Sequence, residues 1–117
     1  MTYVSGFVAA VPNANRERYL ADAIVAAEVF KELGAIRVVE CWGHYVPDGV
    51  LTSFPLAVKA GPDESVVFSW IEWPSSEVAK EGMEKAMHDP RMKPMQDDMP
   101  FDGKRMIWGG FEMLLDR

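Results

Sequence analysis

The alternation of apolar and polar positions divides the chain into strand-like and helix-like stretches with clear punctuation between them. Residues 3–11, Tyr-Val-Ser-Gly-Phe-Val-Ala-Ala-Val, are β-branched, aromatic or small and stop at Pro12, which predicts a buried first strand. Asn13 and Asn15 are both suitable N-caps, and Tyr19, Leu20, Ala23, Ile24, Ala27, Phe30 and Leu33 then recur at three- and four-residue spacing up to Gly34. That spacing predicts a long amphipathic helix.

Strand character returns over 36–45. After the turn Pro47-Asp48-Gly49, a second extended stretch is expected over 53–60, where Pro55 restricts it to an edge, so the two would form a hairpin. The turn Gly61-Pro62-Asp63-Glu64 leads into the strongest strand, Val66 to Trp73, closed by Pro74. Ser75 is placed to cap a second helix, with Glu77 in its first turn and Val78, Ala79, Met83, Ala86 and Met87 on its buried side. Asp89-Pro90 ends that helix and suits the start of a short one, and Asp102-Gly103 introduces a last strand over 105–115. The order β-α-β-(β)-β-α-β is the split βαβ arrangement of a ferredoxin-like α+β domain with an antiparallel sheet, here a single domain over residues 1–117.

Two helices cover only one face of such a sheet, and the other face should turn polar if water met it. It does not. In the last strand, Ile107, Gly109, Phe111 and Met113 fall on one side and Met106, Trp108, Gly110 and Leu114 on the other, with Glu112 the lone charge of that face. The Val66–Trp73 strand likewise has Val67, Ile71 and Trp73 on one side and Val66, Phe68 and Trp70 on the other. An apolar patch of that size marks an interface or a binding cleft, and a second copy of the chain in a closed two-fold dimer is the simplest cover.

Composition narrows the partners further. A chain of 117 residues, 49% hydrophobic and 26% charged, supports one core without disulfides or a structural metal. The net charge of −6 disfavours nucleic acid, whose binding rests on Lys and Arg. No apolar stretch approaches the roughly 20 residues of a membrane helix. The single cysteine, Cys41, and the lack of a charged-then-apolar opening segment make the cytoplasm the expected compartment.

Candidate chemistry centres on Glu40, Trp42 and His44, which alternate along one strand. They would place a carboxylate and an imidazole over an aromatic floor, a possible acid/base pair. The structural alternative is a strand end leaving the core, with Glu40 paired to Arg105 or Arg37. Ser69 is a hydroxyl in an apolar strand that either faces a ligand together with Trp70 or bonds a neighbouring backbone group; no Gly-x-Ser-x-Gly elbow surrounds it. Arg91 and Arg105 can bind a carboxylate or phosphate of a small ligand, or bridge to nearby Asp89, Asp97 or Asp98.

Seven methionines between Met83 and Met113 suit an irregular core better than a copper(I) site, because no Met-x-Met cluster or histidine partner accompanies them. His44, His88 and Cys41 do not have zinc-site spacing, and no dinucleotide or phosphate-loop pattern surrounds Gly109-Gly110. No metal and no cofactor are expected.

Four segments carry a resemblance: Tyr3-Val-Ser-Gly-Phe-Val-Ala-Ala-Val-Pro-Asn13, Val38-Val-Glu-Cys-Trp-Gly43, Val66-Val-Phe-Ser-Trp70 and Met99-Pro-Phe-Asp-Gly-Lys-Arg-Met-Ile-Trp-Gly-Gly-Phe111, with Asp89-Pro-Arg-Met92 just ahead of the last. In these the chain resembles, almost end to end, the YbaA-like family of small bacterial proteins. It departs from the family pattern at His44, where an acidic residue is typical, and at Trp108, where tyrosine is. The resemblance implies a dimeric α/β barrel in which two ferredoxin-like sheets face each other and enclose a cavity, and it implies no reaction.

The wider superfamily holds cofactor-free monooxygenases, haem-degrading enzymes, isomerases and dehydratases, an analogy at the level of fold only. The expectation is a homodimer that binds a small apolar or aromatic molecule, with Glu40, Trp42, Ser69, Trp70, Arg91 and Arg105 at the site. Glu40 or His44 would act as base in cofactor-independent acid/base or oxygenation chemistry. The alternative is an interaction or stress-related module whose sheet face serves only to dimerise, and a cavity distinguishes the two.

Overall fold

A computed structural model of the chain describes residues 2–117. Four strands, β1 (Tyr3–Pro12), β2 (Arg37–Trp42), β3 (Glu64–Trp73) and β4 (Ile107–Glu112), form one antiparallel sheet in the order β2-β3-β1-β4. Helices α1 (Arg16–Glu32) and α3 (Ser76–Met87) cross from β1 to β2 and from β3 to β4, which is the ferredoxin-like topology. Two shorter helices, α2 (Phe54–Ala57) and α4 (Lys93–Asp97), lie in the connections. No helix among the described residues is long and apolar enough to cross a membrane.

The extended stretch expected over 53–60 is a single helical turn, α2, and the hairpin partner of β2 is β3 itself. The Ser53 hydroxyl accepts the Leu56 N–H at 3.1 Å, and Pro55 sits in the first turn, where its missing N–H leaves no bond unmade. The stretch is anchored by Val58, wholly buried against Val8, Ala10 and Val66. Three boundaries also move: β2 ends at Trp42 rather than at residue 45, β4 begins at Ile107, and Arg105 lies in a 3₁₀ turn capped by Asp102. Asn15 borders α1 without capping it, since its side-chain amide donates to the Pro100 carbonyl at 2.8 Å. Ser75 does cap α3, accepting the Val78 N–H at 3.2 Å. Met87, expected on the buried side of α3, is 66% exposed because it lies in the final turn, beyond the edge of the helix–sheet contact.

The strand registers assign every side chain to a face. Ser5, Ala9, Val11, Val67, Ser69, Ile71 and Trp73 point toward the helices and are buried. Trp73 is completely enclosed, with its indole N–H donating to the Ser5 hydroxyl at 3.1 Å and its ring meeting Phe30 edge-on at 6.2 Å. The opposite face carries Val4, Gly6, Val8, Phe68, Trp70, Ile107, Gly109 and Phe111; α2 and Val58 cover one end of it, at Val8, Val66 and Phe68, and neither of the two long helices lies over the rest. There Phe68 is 45% and Phe111 60% exposed. Cys41 pairs with Phe68 on this open side, away from Glu40, and is exposed.

Candidate functional site: an acidic, methionine-walled pocket under the first helix

On the helix-covered side the packing is incomplete. A cavity of about 230 Å³ opens between α1, the sheet and the segment from Met83 to Met106. α1 supplies Tyr19, Asp22, Ala23, Ala26 and Phe30, whose spacing of three, four and seven residues puts them on one helical face. The small residues Ala23 and Ala26 leave the space that larger side chains would fill. The sheet supplies Phe7, Ala9, Val38, Glu40, Ser69 and Ile71.

The far wall is sulfur-rich. Met83, Met92, Met95, Met99 and Met106, five of the seven methionines of this region, line the cavity beside Pro100 and Phe101. Thioether side chains are flexible and polarizable, so this wall can adjust to the outline of a flat or irregular guest.

Glu40 is the polar centre. The Tyr19 hydroxyl donates to its Oε1 at 2.7 Å, and Ser69 lies directly opposite it across the β2–β3 ladder. More than a third of the Glu40 surface remains accessible, and it lines the pocket rather than an ion pair. Desolvation by the surrounding chain pushes its carboxyl above the ordinary range, while hydrogen bonding with Tyr19 and Ser69 pulls part of the way back. Burial beside that carboxyl also pushes the Tyr19 phenol well above its usual value, so Tyr19 stays a proton-bearing donor.

Of the structural alternative for Glu40, the strand does end just beyond it, at Trp42, but the expected ion pair is not formed. Arg105 forms a bidentate pair with Glu64 at 2.8 and 2.7 Å, and Arg37 reaches Glu72 at 3.9 Å. A group whose pKa is higher in the folded chain than in the unfolded one opposes folding once pH rises above its ordinary value. Glu40→Gln is therefore expected to raise the melting temperature at pH 8, with the gain disappearing near pH 4 and below, where the carboxyl is protonated in both states. Paired thermal melts at the two pH values check this; a lower melting temperature for the variant at pH 8 contradicts it.

The other sequence candidates are distributed elsewhere. His44 lies in the bend after β2, in a separate polar recess with Asp48, Glu64 and Ser65, so Glu40 and His44 do not share a site. Trp42 shares the face of Glu40 but packs on Val67, with the Arg16 guanidinium 5.1 Å from its ring centre. The backbone of Trp70 belongs to the strand flooring the pocket, yet its indole lies on the open face, near Phe68 at 5.7 Å, and donates to Glu72 at 3.0 Å.

Arg91 is occupied by Glu32 at 2.8 and 2.9 Å and by Asp89 at 3.0 and 2.9 Å. It ties the turn that carries Met92 to the end of α1. Arg105 is similarly engaged, by Glu64, Asp102 and the Lys59 carbonyl, and holds the Glu64 carboxyl down to about 2. Neither arginine lines the pocket. Of the residues singled out in the sequence, Glu40 and Ser69 meet there. Tyr19, Asp22, Phe101 and the methionine wall complete the site. Their signal was present, since Met92, Met95 and Met99 have helical spacing, but composition alone reads it as core.

Two solved structures share this architecture. One is titled "Putative antibiotic biosynthesis monooxygenase from Nitrosomonas europaea"; it aligns with a TM-score of 0.61 and 14% identity over 97% of this chain and 90% of that one. The other is a variant of SnoaB, described as a cofactor-independent oxygenase from Streptomyces nogalater, with a TM-score of 0.58 and 17% identity over 98% and 93% of the two chains. At such identity the likeness is one of fold.

The sequence relatives are nearer. The uncharacterized protein YbaA of Escherichia coli K12 is 57% identical over 116 residues, covering 99% of both chains, and YbaA of Shigella flexneri matches equally. Residues 2–103 match the family model described as protein of unknown function, DUF1428. With a relative this close along the whole chain and a family model spanning most of it, the chain belongs to the YbaA-like DUF1428 family.

Proposed function

We propose that this protein binds a small apolar or aromatic molecule in the pocket beneath α1 and that Glu40 serves there as a base in cofactor-independent chemistry. The observation that carries the reading is a carboxyl held by a tyrosine hydroxyl inside a cavity whose remaining walls, apart from Asp22 and Ser69, are methionine, aromatic, proline and aliphatic side chains. Tyr19 occupies Oε1, leaving Oε2 to take a proton from an acidic C–H or O–H of the guest. The product of that transfer is an enolate or phenolate, the electron-rich form able to react directly with dioxygen. The description of SnoaB as a cofactor-independent oxygenase supports this direction of chemistry on a shared fold.

The dimer belongs to the same proposal. The uncovered apolar face of the sheet would meet that of a second copy, closing the barrel and leaving each chain its own pocket on the helix side. A module that only dimerises has no use for a 230 Å³ cavity with a desolvated carboxyl in it, which favours the binding reading. An exposed lone thiol at Cys41 suits the reducing cytoplasm.

Deuterium exchange at the carbon beside the carbonyl of 1-tetralone, followed by NMR, tests the role of Glu40. The wild-type protein is expected to accelerate exchange over buffer, and Glu40→Gln to lose about 10²–10⁴-fold of that acceleration, the usual contribution of a positioned base. Tyr19→Phe should lose less, because the carboxylate remains. Exchange at the buffer rate with wild type, or at the wild-type rate with Glu40→Gln, overturns the proposal.

A further inference from the structure

The charge inventory of the pocket says more about the guest than its shape does. Among the described residues only two charged side chains line it, Glu40 from β2 and Asp22 from α1, and both are acidic. Asp22 lies three residues after Tyr19 on the same helical face and has no ion-pair partner among the described residues. Arginines of the flanking segments are committed elsewhere: Arg18 to Asp98, Arg91 to Glu32 and Asp89, Arg105 to Glu64, and Arg16 over the Trp42 ring. A carboxylate or phosphate entering this cavity would meet like charge on two walls and find no guanidinium, ammonium or imidazole among the described lining residues to receive it.

We infer that the pocket selects by charge, taking an uncharged aromatic molecule with a hydroxyl or carbonyl group and rejecting its anionic analogues, and that Asp22 is the residue that enforces the rejection. The inference rests on the proposed binding role of this pocket and adds the class of guest. Repulsion built into a site is as effective a source of specificity as attraction, and it acts more strongly beside apolar walls than in open water. Glu40 contributes less to it, because its charge is already shared with the Tyr19 hydroxyl that donates to it. Asp22 provides a second charge on the opposite wall. A neutral hydroxyl or carbonyl meets neither obstacle, and the polar group it needs is already present in the Tyr19–Glu40 pair.

Titration calorimetry at neutral pH with three naphthalene probes of similar size tests this: 2-naphthol, 2-naphthoate and 2-naphthylmethylamine. The wild-type protein is expected to bind 2-naphthol at least about tenfold more tightly than 2-naphthoate, the scale of discrimination that one like charge at short range supplies. Asp22→Asn should narrow that gap by improving naphthoate binding more than naphthol binding. Equal binding of naphthol and naphthoate by the wild type, or a gap that Asp22→Asn leaves intact, overturns the inference while the pocket reading stands. Preferential binding of the amine overturns it as well, by showing that the acidic walls recruit a cation. Binding of none of the three up to their solubility overturns the pocket reading and the inference together.

Discussion

Gly82→Ala is expected to destabilise the fold by about 2 kcal/mol, lowering the melting temperature by roughly 10 °C. α3 lies close against the sheet at this glycine. A β-carbon there would lie 2.5 and 2.6 Å from two ring carbons of Trp73 and 3.4 Å from the Leu33 carbonyl oxygen. The indole cannot step aside, since Trp73 is fully enclosed, bonded through its N–H to Ser5 and flanked by Phe30. Alanine is the better helix former by about 1 kcal/mol, so an isolated helix would gain from the change. Here steric conflict in a close-packed interior outweighs that gain.

The double variant Gly82→Ala, Trp73→Phe separates this account from a general weakening of α3. Phenylalanine vacates the space the new methyl needs, so the pair should be less destabilised than the sum of the single changes. Strict additivity, or a Gly82→Ala variant that melts with the wild type, contradicts the packing argument.

Phe68→Asp is expected to convert a micromolar dimer into a monomer that still folds. Phe68 is central to the open face, beside Trp70 at 5.7 Å and Phe54 at 5.8 Å, and nearly half its surface has no cover within the chain. A carboxylate there costs the single chain little. In a two-fold interface it appears twice against apolar neighbours, and a penalty of about 2 kcal/mol per copy weakens association roughly a thousandfold. Sedimentation velocity reads the mass, and the concentration dependence of the wild-type melting temperature, absent in the variant, gives a second measure. A wild-type protein that sediments as a monomer at micromolar concentration removes the proposed dimer.

Local signals were sufficient wherever a residue acts on its own neighbours. Pro12, Gly34 and Pro74 stop their elements, Ser75 caps α3, and the strands β1 and β3 follow from short apolar runs because such runs bury on a sheet whatever lies beyond them. The 53–60 stretch misled for the same reason. Its apolar residues read as extended, whereas Ser53 and Pro55 acted as a helix start and Val58 found its burial from a turn.

The family, the antiparallel ferredoxin-like order and the presence of one sheet face too apolar for water are all legible in the chain alone, because they rest on period, punctuation and composition. Which side of the sheet carries the candidate site is a property of the assembled fold. Alternation shows that Glu40 and Cys41 point in opposite directions, but not which of those directions the helices cover. It is the crossing of α1 over β2 and β3 that brings Tyr19 to Glu40, 21 positions apart, and that separates both from His44, only four residues from Glu40. The methionines likewise become a wall only because Arg91 and Asn15 fasten the segment between them against α1. Strand direction is a local property of the chain, whereas a cavity is the space that several elements together leave unfilled.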